Sequence, residues 1–342
     1  MKIAIHNRPG SFSDRWIEYC ENQKVNYKIV NCYDNDIIEQ LQDCDGLMWH
    51  HHHTNYKDVL FAKQLLFSLQ QSGKKIFPDF NTSWHFDDKV GQKYLLESID
   101  APLVPTYVFY SREEALAWAA STSFPKVFKL RGGAGSANVK LVRNLREATK
   151  LINKAFGKGF PQFDRLGYLK ERVRKVRAGQ DSIIGIAKGI GRLFIPTQYS
   201  KMKGRERGYV YFQEFVKNEG FDVRVVTIGK KAVALKRMVR DNDFRASGSG
   251  ELIFENERID KRYIKRAFDL ASKLNMQSIA FDFIKDLSSN IYLVELSYAF
   301  PMSNFLDGAS GYWDEDLTWH NESFNLQGWI VEAFISKTKD PR

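Results

Sequence analysis

The sequence predicts a mixed fold, an N-terminal α/β domain with a parallel sheet followed by an α+β region in two lobes. Three observations support it. The first hundred residues alternate short apolar runs with amphipathic stretches, a glycine-rich segment then lies between two apolar runs, and the last third contains apolar runs joined by turn sequences. At 342 residues the chain exceeds the usual size of a single core, so several domains are expected.

Composition limits the functional class. The apolar content of 43% is ordinary for a globular protein, and no apolar run reaches the length of a membrane span. The first residues do not resemble a signal peptide, and three scattered cysteines indicate a reducing compartment, so we expect a cytoplasmic protein. The net charge of +10 is concentrated in residues 126–203. This excess favours an anionic partner, although solvated helix faces would explain each basic cluster equally well.

The N-terminal region reads as a βαβα series, which indicates a small open parallel sheet. Its predicted strands are Lys2–His6, Tyr27–Cys32, Gly46–Trp49 and Lys75–Phe77, and its predicted helices are Asp14–Asn22, Asn35–Gln42 and Asp58–Gln71.

Four consecutive histidines, His50–His53, follow the third predicted strand. Open α/β sheets bind ligands at the carboxyl ends of their strands, so these side chains are candidates for lining a ligand site. Neighbouring residues alternate in direction, so all four cannot face one metal ion, and metal binding is the less favoured interpretation.

The middle of the chain contains a candidate phosphate-binding loop. Lys129 lies on the predicted strand Pro125–Arg131, directly before the glycine-rich segment Gly132–Ser136. Glycines allow the backbone N–H groups to approach phosphate oxygens, and the lysine adds positive charge. The segment has no GK[ST] sequence and a strand follows it, so it is not a Walker A loop. The other predicted elements here are the helices Asp87–Ile99, Ser111–Ala120 and Arg146–Phe156 and the strands Val104–Tyr110 and Asn138–Val142.

Residues 157–208 are the least regular part of the sequence. They contain the basic runs Lys170–Arg177 and Lys201–Arg207, and we interpret them as an insert that is partly helical around Arg165–Ala178. A strand, Tyr209–Val216, follows the insert.

The next predicted hairpin joins Asp222–Ile228 to Ala232–Val239. Asp222 and Arg224 share one face, and a turn centred on Lys230 would place Lys236 on that face as well. Arg245 adds a further cation shortly afterwards.

After the predicted amphipathic helix Asp260–Leu274, residues 279–301 read as a second hairpin. A turn centred on Ser288–Ser289 places Asp282 opposite Glu295, with Phe281 and Phe283 on the other face beside Val294 and Leu296. Facing carboxylates repel unless a cation lies between them, and Mg²⁺ is held by one or two carboxylates plus substrate phosphates. A solvated strand surface is the alternative interpretation.

The order of these motifs, from Phe86 to Pro301, resembles the ATP-grasp superfamily, and most closely its carboxylate–amine ligase branch that includes the ribosomal-protein glutamate ligase. The resemblance implies a parallel α/β domain at 1–103, a central lobe with the flap and basic insert at 104–208, and a lobe with the metal hairpin at 209–342. It also allows a homodimer.

The resemblance implies roles for individual residues. Lys89, Lys129 and the loop residues Gly132, Gly133, Gly135 and Ser136 would bind ATP phosphates. Gln213 would belong to the nucleotide site, and Glu214, Phe215 and Val216 would form the hinge beside adenine. Asp222 would contact ribose or order the nucleotide site. Arg224, Lys236 and Arg245 would stabilise negative charge during catalysis. Asp282 and Glu295 would hold one or two Mg²⁺, for which Mn²⁺ can substitute. Ser297 stands where the family usually has an asparagine ligand, so the third ligand would be Ser297, a water or a compensating residue such as Asp286.

The implied reaction is ATP-dependent ligation of a carboxylate to an amine through an acyl phosphate. The basic insert suggests a strongly anionic substrate, for example an acidic saccharide or carrier-linked acceptor in cell-envelope polysaccharide synthesis. The alternatives are an ATP-grasp kinase that phosphorylates a hydroxyl group, a catalytically inactive regulator suggested by Ser297, and a nucleic-acid-binding protein. Nucleic acid is disfavoured because no recognised binding motif accompanies the basic charge.

Overall fold

The computed structural model describes residues 1–133, 138–161, 204–239, 252–254, 259–301 and 308–336, together with positions 173, 176, 202 and 245. The chain divides into two compact units. The first unit contains Met1–Phe86, Leu96–Pro102 and Lys217–Arg342, and the second contains Asp87–Leu95 and Leu103–Val216. The domain limits at 103/104 and 208/209 stay predictions.

The strands and helices of the described residues are numbered in chain order. The strands are β1 (Ile3–His6), β2 (Tyr27–Val30), β3 (Gly46–Met48), β4 (Lys75–Phe77), β5 (Thr106–Phe109), β6 (Lys126–Lys129), β7 (Lys140–Val142), β8 (Phe160–Pro161), β9 (Arg205–Glu206), β10 (Val210–Glu214), β11 (Phe221–Ile228), β12 (Lys231–Met238), β13 (Leu252–Ile253), β14 (Ser278–Lys285), β15 (Ile291–Ser297), β16 (Tyr312–Asp314) and β17 (Trp319–His320). The helices are α1 (Phe12–Asn22), α2 (Ile37–Gln40), α3 (Tyr56–Gln71), α4 (Phe80–Ser83), α5 (Lys89–Glu97), α6 (Arg112–Ser121), α7 (Leu145–Phe156), α8 (Lys261–Lys273) and α9 (Leu326–Ser336).

The N-terminal part of the first unit is an open parallel sheet of four strands in the order β2-β1-β3-β4. Its strands are short and apolar, as expected where helices cover a parallel sheet. The core on this sheet is built from β1, β3 and α3 and includes Leu47, Trp49 and Leu66, all nearly inaccessible to solvent. This confirms the predicted βαβα series.

The remainder of the first unit contains a seven-stranded antiparallel sheet. Its main path is β15-β14-β11-β12-β16-β17, and β13 pairs with β12. Helix α8 begins at its N-cap Asp260, whose carboxylate accepts from the Arg262 N–H, and its apolar face packs on β11 and β14. The described tail adds β16, β17 and α9, of which the sequence predicts only helical content.

The second unit has a four-stranded sheet in the order β5-β10-β6-β7, covered by α6 and α7. Ser111 is the N-cap of α6 and accepts from the Glu114 N–H. Phe128, Phe212 and Ile152 lie in the core of this unit. The predicted helix at Arg165–Ala178 and most of the basic insert lie outside the described residues.

The predicted fold class is confirmed, because a parallel sheet in an α/β arrangement precedes antiparallel sheets in the chain. No helix within the described ranges combines the length and the apolar character that crossing a bilayer requires.

Candidate functional site

A buried hydrogen-bonded chain positions Lys129 in the second unit. Lys129 ends β6, and its ammonium donates to Gln213 Oε1 on the adjacent strand β10 at 2.6 Å. Gln213 Nε2 then donates to Thr106 Oγ1 at 3.0 Å, and Thr106 donates to the Val104 carbonyl at 2.7 Å. All three side chains are at least 93% buried, so the lysine charge is held in one place.

The start of the glycine-rich loop is joined to α5. Lys89 Nζ donates to the Gly133 carbonyl at 2.8 Å, and the Gly133 N–H donates to Asp87 Oδ1 at 2.7 Å. Gly133 has a φ of +114°, a conformation that favours glycine. Lys89 and Gly133, which the sequence assigns to one phosphate site, are therefore in contact. Gly135 and Ser136 lie outside the described residues.

Glu214 closes β10 beside a second buried lysine. Its carboxylate forms an ion pair with Lys126, whose side chain is 2% exposed, and accepts from the Tyr107 hydroxyl at 3.1 Å. The Glu214 N–H is bonded to the Pro105 carbonyl. Phe215 and Val216 follow as irregular, part-buried backbone. The predicted hinge residues thus leave the sheet at a point fixed by Lys126, which sequence reasoning missed.

In the first unit, the β11–β12 hairpin turns at Gly229-Lys230, and its register differs from the prediction by one residue. Asp222 lies opposite Arg237, whereas Lys236 lies opposite Val223 and therefore on the other face of the sheet. The Lys236 ammonium is 4.9 Å from the centre of the Phe221 ring. The prediction that Lys236 shares a face with Asp222 and Arg224 is wrong, and Arg237 occupies that face.

Two arginines and two aspartates form a charge quartet on this face, namely Asp222, Arg224, Arg237 and Asp282. Arg224 Nε and Nη2 donate to the two oxygens of Asp282 at 2.7 Å and 2.9 Å. Arg237 bridges the aspartates, with 2.6 Å and 2.7 Å contacts to Asp222 and a 2.7 Å contact to Asp282 Oδ2. Bidentate guanidinium–carboxylate pairs of this kind fix geometry as well as charge.

Burial acts to raise the pKa of Asp282, but the Arg224 and Arg237 charges outweigh it and hold that pKa well below its usual range. Burial also raises the pKa of Asp222, and there it prevails over the opposing Arg237 charge. Arg237 stays charged because the two aspartates raise its pKa despite burial. The quartet therefore retains an ionised Asp282 at neutral pH.

The second hairpin brings the predicted metal carboxylates together. Asp282 on β14 lies opposite Glu295 on β15, which confirms the predicted pairing. A β-bulge follows this pair, so that Phe283 lies opposite Leu293, and the fully buried Leu293 takes the core position predicted for Val294. Ser297 lies opposite Ala280, and its hydroxyl donates to the Ala299 carbonyl at 2.7 Å.

Arg245 is part-buried, and the residues on both sides of it lie outside the described part of the chain.

Comparison with solved structures identifies the fold. The RimK domain ATP-grasp protein of Sphaerobacter thermophilus is similar over 89% of this chain and 94% of its own, with a TM-score of 0.55 and 16% identity. The ATP-grasp ligase PsnB, complexed with a minimal precursor, is similar over 99% of both chains, with a TM-score of 0.56 and 13% identity.

The chain has the ATP-grasp fold.

A third structure of similar fold is the biotin carboxylase domain of Hydrogenobacter thermophilus 2-oxoglutarate carboxylase, in complex with MgADP, ADP and bicarbonate. It matches 99% of this chain and 70% of its own, with a TM-score of 0.57 and 13% identity. No protein-family model and no curated protein sequence matches the chain.

The donor set of this ATP-grasp fold suits a hard cation only with help from a substrate. Within the described ranges, no group of three or more His, Cys, Asp or Glu side chains is arranged to hold a metal ion. Asp282 and Glu295 supply two carboxylates, and Mg²⁺ typically takes one or two carboxylates together with substrate phosphates and waters. The residues present therefore fit a nucleotide-bound Mg²⁺ better than a permanent metal site.

The four histidines adjoin this region within the first unit. His50–His53 follow β3, and the His51 carbonyl accepts a hydrogen bond from the hydroxyl of Tyr298, which directly follows Ser297 at the end of β15. No metal cluster involving the histidines is found among the described residues. The part of the ATP-grasp fold that carries the carboxylate hairpin is thus packed directly on the histidine segment.

Proposed function

We propose that the protein is an ATP-dependent ligase that joins a carboxylate to an amine through an acyl phosphate. The carrying observation is the pairing of Asp282 with Glu295 beside Arg224 on one sheet face of an ATP-grasp fold. Two of the similar structures support this choice, since one is named as an ATP-grasp ligase and another is complexed with MgADP and bicarbonate.

Residues of the second unit would bind the nucleotide. Lys129 is held rigidly by Gln213 and Thr106, and a preorganised ammonium stabilises phosphate charge without paying for its own reorganisation. Lys89 would act on the same phosphates with the backbone of Gly132 and Gly133. Glu214 would support the hinge through its bond to Lys126. Gly135, Ser136, Phe215 and Val216 keep the roles that the sequence resemblance implies.

Residues of the first unit would act on the transferred phosphoryl group. Asp282 and Glu295 would hold one or two Mg²⁺, which neutralise phosphate charge when bound. Arg224 would stabilise the negative charge of the acyl phosphate, and Arg245 would stabilise the oxyanion formed when the amine attacks. Asp222 would hold Arg237 in place through their ion pair, and it would also contact ribose. A role of Ser297 as a metal ligand and of Lys236 in catalysis both stay predictions.

The substrate class is proposed from charge. The basic runs between residues 157 and 208 would favour a strongly anionic carboxylate or amine substrate, for example an acidic saccharide or carrier-linked acceptor of cell-envelope polysaccharide synthesis. A cytoplasmic enzyme would meet ATP and such carriers together.

The test is ADP release from MgATP by the purified protein, with amino acids crossed against acidic sugars and nucleotide sugars. Release that requires both a carboxylate and an amine, and that is lost in Asp282→Asn, supports the ligase. The matched control is Asp269→Asn, which removes an exposed carboxylate of α8 and should leave release unchanged. A phosphorylated product formed with a hydroxyl compound and no amine would replace the ligase with a kinase.

A further inference from the structure

A polar cluster of Arg8, His50 and His51 lies at the carboxyl edge of the N-terminal sheet. The proposed nucleotide and metal sites do not involve these residues. In the strand order β2-β1-β3-β4, the chain passes from β1 to β2 on one side, and then to β3 on the other side of β1. The direction in which strands are added therefore reverses between β1 and β3. Open α/β sheets bind ligands at this reversal, outside the carboxyl ends of the two strands. Arg8 follows β1 and His50–His53 follow β3, so both segments lie at that position.

His50 has a fixed tautomer and an unused donor. Its Nδ1 accepts from the Phe12 N–H at 3.2 Å and lies 3.1 Å from Ser11 Oγ, so the ring proton is on Nε2. Phe12 stacks on the imidazole at 3.9 Å and holds its plane. His50 is 8% exposed, and its Nε2, on the ring edge turned away from α1, has no hydrogen-bond partner among the described residues.

His51, the next residue, is buried as well. It is 4% exposed, and its Nε2 likewise has no partner in the described part of the chain. Burial and the nearby positive charges lower the pKa values of His50 and His51, so both rings are neutral at pH 7. An unmet buried donor costs stability unless a ligand or ordered water uses it.

Arg8 supplies the positive charge of the cluster. Its guanidinium contacts Asp58, which also accepts from the His52 N–H, and after burial its charge contributes to the lowered pKa values of His6, His50 and His51. Within the described ranges its one carboxylate partner is Asp58, through a long 3.4 Å contact from Nη1. Asp58 is already held by the His52 N–H at 2.6 Å and by the Tyr33 hydroxyl, which leaves most of the Arg8 donors for a ligand.

The charge balance selects the ligand. Arg8 makes one long contact to the buried Asp58 and the imidazoles are neutral, so the cluster offers a single positive charge and suits a carboxylate better than the two charges of a phosphate. Guanidinium groups bind carboxylates through two parallel hydrogen bonds. We propose that Arg8, His50 and His51 form a binding subsite for a carboxylate group of the substrate.

Its location connects the subsite to the proposed reaction. The His51 carbonyl is bonded to Tyr298, the residue after Ser297 on the strand that carries Glu295. A substrate held at Arg8 would therefore lie beside the end of the carboxylate hairpin. That the bound carboxylate belongs to a substrate rests on the proposed ligase activity, whereas binding of a carboxylate at this subsite needs no ATP.

Calorimetric titration of the full chain without ATP tests the subsite, with succinate, glutarate, L-glutamate, succinamide and inorganic phosphate as probes. We expect at least one dicarboxylate to bind and succinamide to fail. Arg8→Gln should weaken binding by about tenfold or more, since hydrogen bonds to charged groups are lost. Arg15→Gln, which changes an exposed arginine of α1, should bind as the wild type does.

His50→Asn is the second variant. Asparagine keeps an acceptor where Nδ1 lies, preserves the contact to α1 and removes the Nε2 donor, so the fold should survive while carboxylate binding weakens. Equal affinity in Arg8→Gln, tighter binding of phosphate than of every carboxylate, or no carboxylate binding at millimolar concentrations would each overturn the proposal.

The two proposals fail separately. Arg8-dependent carboxylate binding in a protein that never releases ADP would remove the ligase and keep the subsite. ADP release with an unchanged carboxylate KM in Arg8→Gln would keep the ligase and remove the subsite.

Discussion

The Arg224 guanidinium occupies both oxygens of the Asp282 carboxylate, and Arg237 donates to one of them as well. The residue that the sequence selects as a metal ligand is therefore already neutralised by protein cations. Any divalent ion at Asp282 must share that carboxylate with Arg224 or displace it, because few acceptor positions are left.

Removing Arg224 should strengthen metal binding in the absence of nucleotide. Arg224→Met takes away one positive charge next to Asp282 and Glu295, and we expect the affinity for Mn²⁺ to rise by about three- to tenfold. Electron paramagnetic resonance of free Mn²⁺ measures this directly. Arg262→Met, which removes an exposed arginine paired with Asp260, is the control and should leave the affinity unchanged. Weaker Mn²⁺ binding in Arg224→Met would show that Arg224 does not compete with the ion.

Arg237 should be essential for stability. Its side chain is 5% exposed and bridges Asp222 and Asp282, so Arg237→Met leaves two buried carboxylates without their shared partner. Loss of one partner from a buried ion pair costs about 3–5 kcal/mol. Urea unfolding followed by circular dichroism gives the free energy.

The neighbouring lysine provides the matched comparison for Arg237. Lys236 lies on the opposite face beside Phe221, and Lys236→Met should change the free energy of unfolding by about 0.5 kcal/mol or less. Equal losses in both variants would mean that the hairpin register described above is incorrect.

The two hairpins show what the sequence can predict. Asp282 and Glu295 could be paired from sequence because the polar run Asp286–Asn290 marks the turn between two apolar strands. In the β11–β12 hairpin the sequence predicts a turn centred on Lys230, whereas the structure has the two-residue turn Gly229-Lys230, which shifts the register by one residue. Gly229 has a φ of +55°, which suits a two-residue turn with Lys230, and that reading would have revealed Arg237.

Other site features depend on contacts that one sequence does not specify. The bulge after Asp282 exchanges Val294 for Leu293 in the core, because one extra residue on β15 reverses the alternation beyond it. Lys126 reads as an ordinary strand residue until β10 places Glu214 beside it. Arg8 and His50 are 42 positions apart in the printed sequence and lie at the same edge of the sheet because β1 and β3 are neighbours.

The hydrogen-bonded chain from Lys129 to Thr106 should control nucleotide affinity. Lys129→Met removes the buried charge and should weaken ATP binding by about tenfold or more, as expected for a charge-assisted contact to phosphate. Thr106→Val leaves Lys129 in place but removes the acceptor for Gln213 Nε2, so a smaller loss of about two- to fivefold is expected.

Fluorescence titration with a labelled ATP analogue measures both variants. Lys140→Met, on the exposed edge of β7 in the same sheet, is the control and should bind as the wild type does. A Thr106→Val protein with unchanged affinity would show that Gln213 does not position Lys129.

Acid should destabilise the N-terminal sheet through its buried histidines. Burial lowers the pKa of His6 to about 4, assisted by the Arg8 charge and opposed by Asp34, and burial lowers the pKa of His51 to about 3, assisted by Lys63 and Arg8. In the unfolded chain both histidines have pKa values near 6.5. Between pH 6.5 and their lower pKa values in the folded protein, the unfolded state therefore binds more protons than the folded state. The free energy of unfolding should therefore be fully retained above pH 6.5. Below it, each such histidine should remove about 1.4 kcal/mol per pH unit until its native pKa is reached.

His6→Asn isolates one contribution to this slope. The His6 ring accepts from the Cys32 N–H through Nδ1 at 3.0 Å, and an asparagine side-chain oxygen can accept the same bond without titrating. Urea unfolding at a series of pH values between 4.5 and 7.5 should show a shallower acid slope in His6→Asn, by about 1.4 kcal/mol per pH unit. Stability at neutral pH should change little, because His6 is already uncharged there. An identical slope in both proteins would mean that folding leaves the pKa of His6 near its usual value, contrary to the effect expected from its burial.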